Sequence, residues 1–179
     1  YKKFSFPKAL DVNKLKDYLE EEIINAVKQE YSDGLYQQNE DFLLDRLGMI
    51  SGEVEAAFAK SSLQVQDEYQ IYLTRYGTGG SYFPPNKVIA NIGIYYNAGL
   101  MNLMIHEIIH LSVEKYINEY KVEHWKKERI VDLFFNKNFP KRARVKNLPI
   151  NTEKIDQIFE ENFPDMIKII EKVSSLKIL

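Results

Sequence analysis

"LMIHEIIHLS" (residues 103–112) sets two histidines four positions apart, with a glutamate after the first and isoleucines in the gap. Around them, from Leu100 to Val113, the chain is apolar on almost every side: Leu100, Met101, Leu103, Met104, Ile105, Ile108, Ile109, Leu111 and Val113. A helix that is hydrophobic all round is buried rather than amphipathic. Burying two imidazoles and a carboxylate in it costs several kcal/mol unless each finds a partner. Residues four apart are about one helical turn apart, so His106 and His110 project from one face toward a common point. That spacing suits two nitrogen ligands on one zinc ion, each at about 2.0–2.1 Å. Glu107 stands beside the first of them, within reach of a water next to the metal and able to take its proton as a general base.

The composition narrows the classes around this motif. A chain of 179 residues supports one substantial core, and a single domain over 1–179 is expected. Hydrophobic residues at 45% and charged residues at 28% are those of an ordinary globular protein. With 24 basic and 26 acidic residues the net charge is −2, which gives no general attraction to nucleic acid. A local basic run, "KNFPKRARVKN" (137–147), reads as a solvated loop in preference to an anion-binding patch. The absence of cysteine removes thiolate zinc sites, disulfides and cysteine nucleophiles together. No apolar run reaches the roughly 18 residues that span a bilayer, so no transmembrane segment is expected. The chain begins at Tyr1 rather than Met, which a cleaved signal peptide and a trimmed chain fit equally. Together with the lack of cysteine, this leans slightly toward an exported bacterial protein.

Helix is predicted over 11–31, where Asp11 or Asn13 can cap and Leu15, Leu19 and Ile23 recur at four-residue steps. "SDGLYQQN" (32–39) reads as a turn, and a second helix over about 40–60 carries Phe42, Leu43, Leu47, Ile50, Val54, Ala57 and Phe58. "YQIYLTRY" (69–76) and "KVIANIGIYY" (87–96) are rich in β-branched and aromatic residues and read as strands. In the second, Val88, Ala90, Ile92, Ile94 and Tyr96 fall on one face. Between them "GTGGSYFPPN" (77–86) is a glycine- and proline-rich loop, a hairpin connection or flap. No Gly-Lys-Ser/Thr follows its glycines, which argues against a phosphate-binding loop. Helices at about 122–136 and 152–175, the latter divided by Pro164, complete an α+β architecture.

A catalytic zinc site takes three protein ligands and keeps one position open. The metzincin pattern would need Gly at 113 and His at 116, where Val113 and Tyr116 stand. "VEHWKKERIVDLFF" (122–135) is the better source: Trp125, Glu128, Asp132 and Phe135 follow helical spacing, a half-buried stripe with two carboxylates between two aromatics. Glu128 follows His110 at a distance that allows a turn and a second helix packed back on the first. Asp132, one turn further, can accept the second ring N–H of a ligating histidine. His124 is the alternative third ligand, one turn before Glu128.

These residues resemble the gluzincins, the thermolysin-like and aminopeptidase-N-like zinc metallopeptidases, whose pattern is His-Glu-x-x-His followed by Glu-x-x-x-Asp on the next helix. Here it stands as His106-Glu107-Ile108-Ile109-His110 and Glu128-Arg129-Ile130-Val131-Asp132. The resemblance implies a zincin-like fold with zinc held by His106, His110 and Glu128, Glu107 as general base, and Asp132 orienting a ligating histidine, His106 in preference to His110. It favours Glu128 over His124, because Asp132 completes the pattern. It also implies an edge strand before the zinc helix that pairs with an extended peptide. "KVIANIGIYY" takes that place, with Gly93 allowing another backbone to approach; an ordinary hairpin strand bulged at Gly93 fits as well. The Gly-x-Met-Glu-Asn sequence of the aminopeptidase branch is absent, against an aminopeptidase of that kind. The oxyanion-stabilising tyrosine or histidine stays unassigned among Tyr82, Tyr95, Tyr96 and His124.

The expectation is a zinc-dependent peptidase acting on a peptide or protein substrate. The alternative is a zinc-binding domain of the same fold with a regulatory or interaction role. A third reading is a helical domain whose histidines are hydrogen-bonded core residues.

Overall fold

Helix α3 (Ala98–Glu119) runs through the core, with Leu100, Met104, Ile105, Ile109 and Val113 each no more than 1% exposed. The computed structural model describes residues 4–143 and 147–177. Before α3 come β1 (Phe4–Ser5), α1 (Glu20–Gln29), α2 (Asp33–Lys60), β2 (Gln70–Thr74), β3 (Gly77–Thr78), β4 (Gly80–Phe83) and β5 (Lys87–Asn91). After it come α4 (His124–Asn138), α5 (Glu153–Asn162) and α6 (Met166–Ser174), with short 3-10 turns at Val12–Asp17 and Pro140–Arg142. The architecture is α+β, mostly helical with a small sheet.

The N-terminal helix is broken where one continuous helix is predicted. Asp11 caps the 3-10 turn by accepting from the Asn13 N–H, and the chain is extended again at Tyr18 and Leu19. Helix α1 then restarts on three glutamates, where negative charge suits the positive end of the helix. The Glu22 carboxylate accepts the Leu19 N–H at 2.8 Å and closes that first turn. Leu19 is 71% exposed, so it does not face a core. Helix α2 begins a full two turns earlier than its apolar pattern, and the predicted turn at 32–39 is helical from Asp33 onward. It delivers Leu43, Ile50, Val54, Ala57 and Phe58 to the core, where Phe58 meets Phe134 of α4 at 5.5 Å between rings.

The sheet order is β2-β5-β4, with β5 parallel to β2 and antiparallel to β4. This corrects two expectations. "KVIAN" is the central strand, paired on both sides, so it cannot be the edge strand that the resemblance implies. Part of the predicted loop 77–86 is itself β-structure, and its Gly80–Phe83 segment forms one edge of the sheet. The strand expected over 87–96 ends at Asn91, because that side chain redirects the chain. Buried Asn91 donates to Ser5 Oγ at 2.8 Å and to the Gly77 carbonyl at 3.1 Å, and its Oδ1 accepts the Gly93 N–H at 2.8 Å. A Cβ at Gly93 would come within 2.5 Å of the Arg75 carbonyl oxygen, so the close backbone approach there is made by this chain itself.

Val88 and Ala90 of β5, both fully buried, face α3 together with Gly80 and Tyr82 opposite them on β4. Helix α3 ends in a Schellman turn. Lys121 takes a left-handed φ of 53°, and the Val122 N–H bonds the Ile117 carbonyl at 3.0 Å. That reversal lays α4 back along α3. Arg129 on α4 then forks onto Asp156 of α5 with two bonds of 2.6 Å, Nε donating to Oδ1 and Nη2 to Oδ2. Burial of Ile155, Phe159, Met166, Ile169, Ile170 and Val173 closes the core from the C-terminal pair of helices. Among the described residues no helix is long and apolar enough to cross a membrane.

Candidate metal centre

One turn of α3 aims both imidazoles at the same point. His106 Nε2 and His110 Nε2 lie 3.2 Å apart, with the ring planes at 84°. The turn after α3 returns Glu128 to the same place. Its Oε1 is 3.4 Å from His110 Nε2 and its Oε2 is 3.9 Å from His106 Nε2. One ligand atom from each of the three residues lies within 4.8 Å of the others, and both histidines are buried. A metal bound tetrahedrally at about 2.0–2.1 Å separates its ligands by about 3.3 Å, so these spacings fit one ion with little adjustment. The donor chemistry fits too: two imidazoles and one carboxylate make a set that holds a divalent metal. His124, the alternative third donor, is exposed at the start of α4, its ring against Trp125, and stands outside the group.

Asp132 lies behind the group. Its Oδ1 is 3.7 Å from His106 Nδ1, on the ring edge opposite the ligand nitrogen, and both residues are buried. Of the stripe expected from Trp125 to Phe135, three of four residues, Glu128, Asp132 and Phe135, turn inward, while Trp125 is 40% exposed.

Glu107 stays outside the three-residue group, 7% exposed, and lies directly beneath strand β4. A Cβ at Gly80 would fall 2.6 Å from Glu107 Oε1 and 2.6 Å from Leu103 Cδ1. Only glycine lets the edge strand lie this close over the carboxylate. Sequence reasoning missed this role of Gly80. Its signal was the alternation that follows, "GSYF", in which residues 80 and 82 share a face.

Tyr82, one of the oxyanion candidates, also reaches the centre. Its ring stacks on His110 at 4.8 Å with planes 6° apart. The hydroxyl donates to Glu114 Oε2 at 2.7 Å and accepts from Lys127 Nζ at 2.7 Å. Burial, then the bond to Glu114, raises the phenol well above its ordinary pKa. Of the other aromatic candidates, Tyr95 packs under Gly79 and Tyr96 is 72% exposed. In the basic run, Lys137 pairs with Glu160 at 2.6 Å and Arg142 donates to Asn102 at 3.2 Å, while Arg144, Val145 and Lys146 lie outside the described residues.

Compared with known proteins, the chain matches no family model, no curated protein and no solved structure.

Proposed function

We propose that the chain is a metal-dependent hydrolase and, within that class, a zinc peptidase of the gluzincin kind. The observation that carries this is the convergence of His106, His110 and Glu128 with a fourth residue, the buried Glu107, beside them under an edge strand. A bound zinc supplies Lewis acidity, making a water easier to deprotonate and a carbonyl easier to attack. The rest is done by side chains. His106, His110 and Glu128 are the ligands, and Asp132 holds the His106 ring by its far nitrogen. Glu107 takes the proton of the attacking water and returns it to the departing amine, a transfer that suits a carboxylate walled from bulk solvent.

Strand β4 has no strand on its outer side among the described residues. The Asn91 N–H bonds the Gly79 carbonyl at 3.0 Å, which makes 79 and 91 a hydrogen-bonded pair. Alternation then turns the backbone groups of Gly80 and Tyr82 away from β5. An extended peptide added along that edge would pass beside Glu107, which supports a peptide substrate.

Protein purified without added zinc should carry about one zinc per chain, lost in His106→Ala and in Glu128→Ala. It should cleave casein or a peptide library, and Glu107→Gln should keep the metal and lose cleavage. A folded protein that takes up no zinc refutes the reading. Zinc without cleavage leaves the regulatory alternative, and equal cleavage by Glu107→Gln removes the assigned base.

A further inference from the structure

The two histidine ligands are held in different ways. His106 has a carboxylate at its far nitrogen, whereas His110 has a flat ring laid against its face. A histidine χ2 is a broad torsion, so a ligand ring needs an outside constraint to keep its nitrogen on the metal. The Tyr82 ring, parallel to His110 within 6°, supplies one by blocking rotation out of the plane.

The tyrosine is itself held from two helices. Glu114 lies one turn beyond His110 on α3, and Lys127 immediately precedes Glu128 on α4. The hydroxyl bonds to both at 2.7 Å, while Lys127 Nζ sits 5.3 Å from the ring centroid and 3.9 Å from Glu114 Oε2. All three side chains are largely enclosed, Lys127 at 15% and Glu114 at 18% exposure. The hydroxyl proton is committed to Glu114, so it is not offered to a reacting oxygen. An ordinary packed tyrosine would satisfy its hydroxyl with no regard to a ligand ring; this one joins strand β4 to both ligand-bearing helices at the face of a ligand.

We propose that Tyr82, clamped by Glu114 and Lys127, is a positioning residue that fixes the His110 imidazole for metal binding. This rests on the metal reading above. The test measures zinc affinity by competition with a chromogenic chelator, and the visible spectrum of the cobalt(II) form, in the full chain. Tyr82→Leu removes the stacked ring and should weaken zinc binding about 10–100-fold, the usual effect of losing a group that orients a ligand, and alter the cobalt band. Tyr82→Phe keeps the ring but loses both hydroxyl bonds, so its affinity should fall between those of Tyr82→Leu and wild type. Lys127→Met, which removes one of the two bonds, should fall between Tyr82→Phe and wild type. If wild type binds zinc and Tyr82→Leu matches it in affinity and spectrum, the positioning role is overturned and the metal reading stands. If wild type binds neither metal, both fall. Should Tyr82→Leu fail to fold, Lys127→Met decides: a wild-type affinity and spectrum in that variant overturns the clamp.

Discussion

Gly80→Ala separates placement of Glu107 from stability of the fold. The new methyl would sit 2.6 Å from both Glu107 Oε1 and Leu103 Cδ1, and 3.1 Å from Glu107 Cδ. Ordinary contact begins at 3.4 Å, so each near neighbour must retreat by about 0.8 Å, the difference between 3.4 and 2.6. Both obstructing atoms end flexible side chains, but Leu103 is 5% and Glu107 7% exposed, which leaves little room. Overpacking a filled site costs about 1–3 kcal/mol. Removing a strand glycine recovers about 0.5–1 kcal/mol. The net loss lies between about 0 and 2.5 kcal/mol, a fall in melting temperature of up to several degrees at this chain length. With Glu107 as the proposed base, the effect on cleavage should be larger, since misplacing a catalytic group by about 1 Å costs on the order of 100-fold. Calorimetry and peptide cleavage, run beside Gly48→Ala, check both numbers. Gly48 lies in α2 with no atom within 4 Å of a built Cβ, so that control gains about 0.8–1 kcal/mol and keeps full activity. A Gly80→Ala protein with wild-type cleavage would refute the argument that β4 sets the carboxylate.

Asp132→Asn should lower metal affinity about 10–100-fold with the fold intact, by chelator competition; unchanged affinity would remove Asp132 from the site. Phe134→Ala, at a fully buried position against Phe58, should cost about 3–5 kcal/mol in urea denaturation, and a loss under about 1 kcal/mol would mean the cavity collapses freely. Tyr76 is held above its ordinary pKa of 10.0 by burial and by its bond to Glu30. As pH rises past 10 the unfolded phenol loses its proton first, so stability falls there. Tyr76→Phe should flatten that alkaline decline, and an unchanged slope would show that the decline arises elsewhere.

Much of the centre is legible because it is local. His106 and His110 share one turn, and Glu128 and Asp132 share another, so helical spacing alone brings each pair to one face. The sheet is not legible in this way. Parallel pairing of β2 with β5 has no signature in either strand, so "KVIAN" reads equally well as an edge. Gly79, Gly80, Pro84 and Pro85 hide β4 inside a stretch that has turn composition. The stacking of Tyr82 on His110 depends on β4 crossing α3, and no pattern within either segment records it. Helix α2 absorbs Gly34 because the helix-forming residues after it outweigh one weak position.

The three donors all come from one antiparallel hairpin, α3 and α4, closed by the turn at Lys121. Closing so short a connection costs little chain entropy. The ion proposed for this site can therefore be captured as soon as two neighbouring helices meet, before the sheet has docked. By the same reasoning it leaves when the first turn of α4, where Trp125 is exposed and Lys127 and Glu128 are only partly buried, lifts from α3, a local opening rather than global unfolding. Chelator-driven exchange should then run far faster than denaturation, with Lys127 and Glu114 acting as the latch that sets its pace.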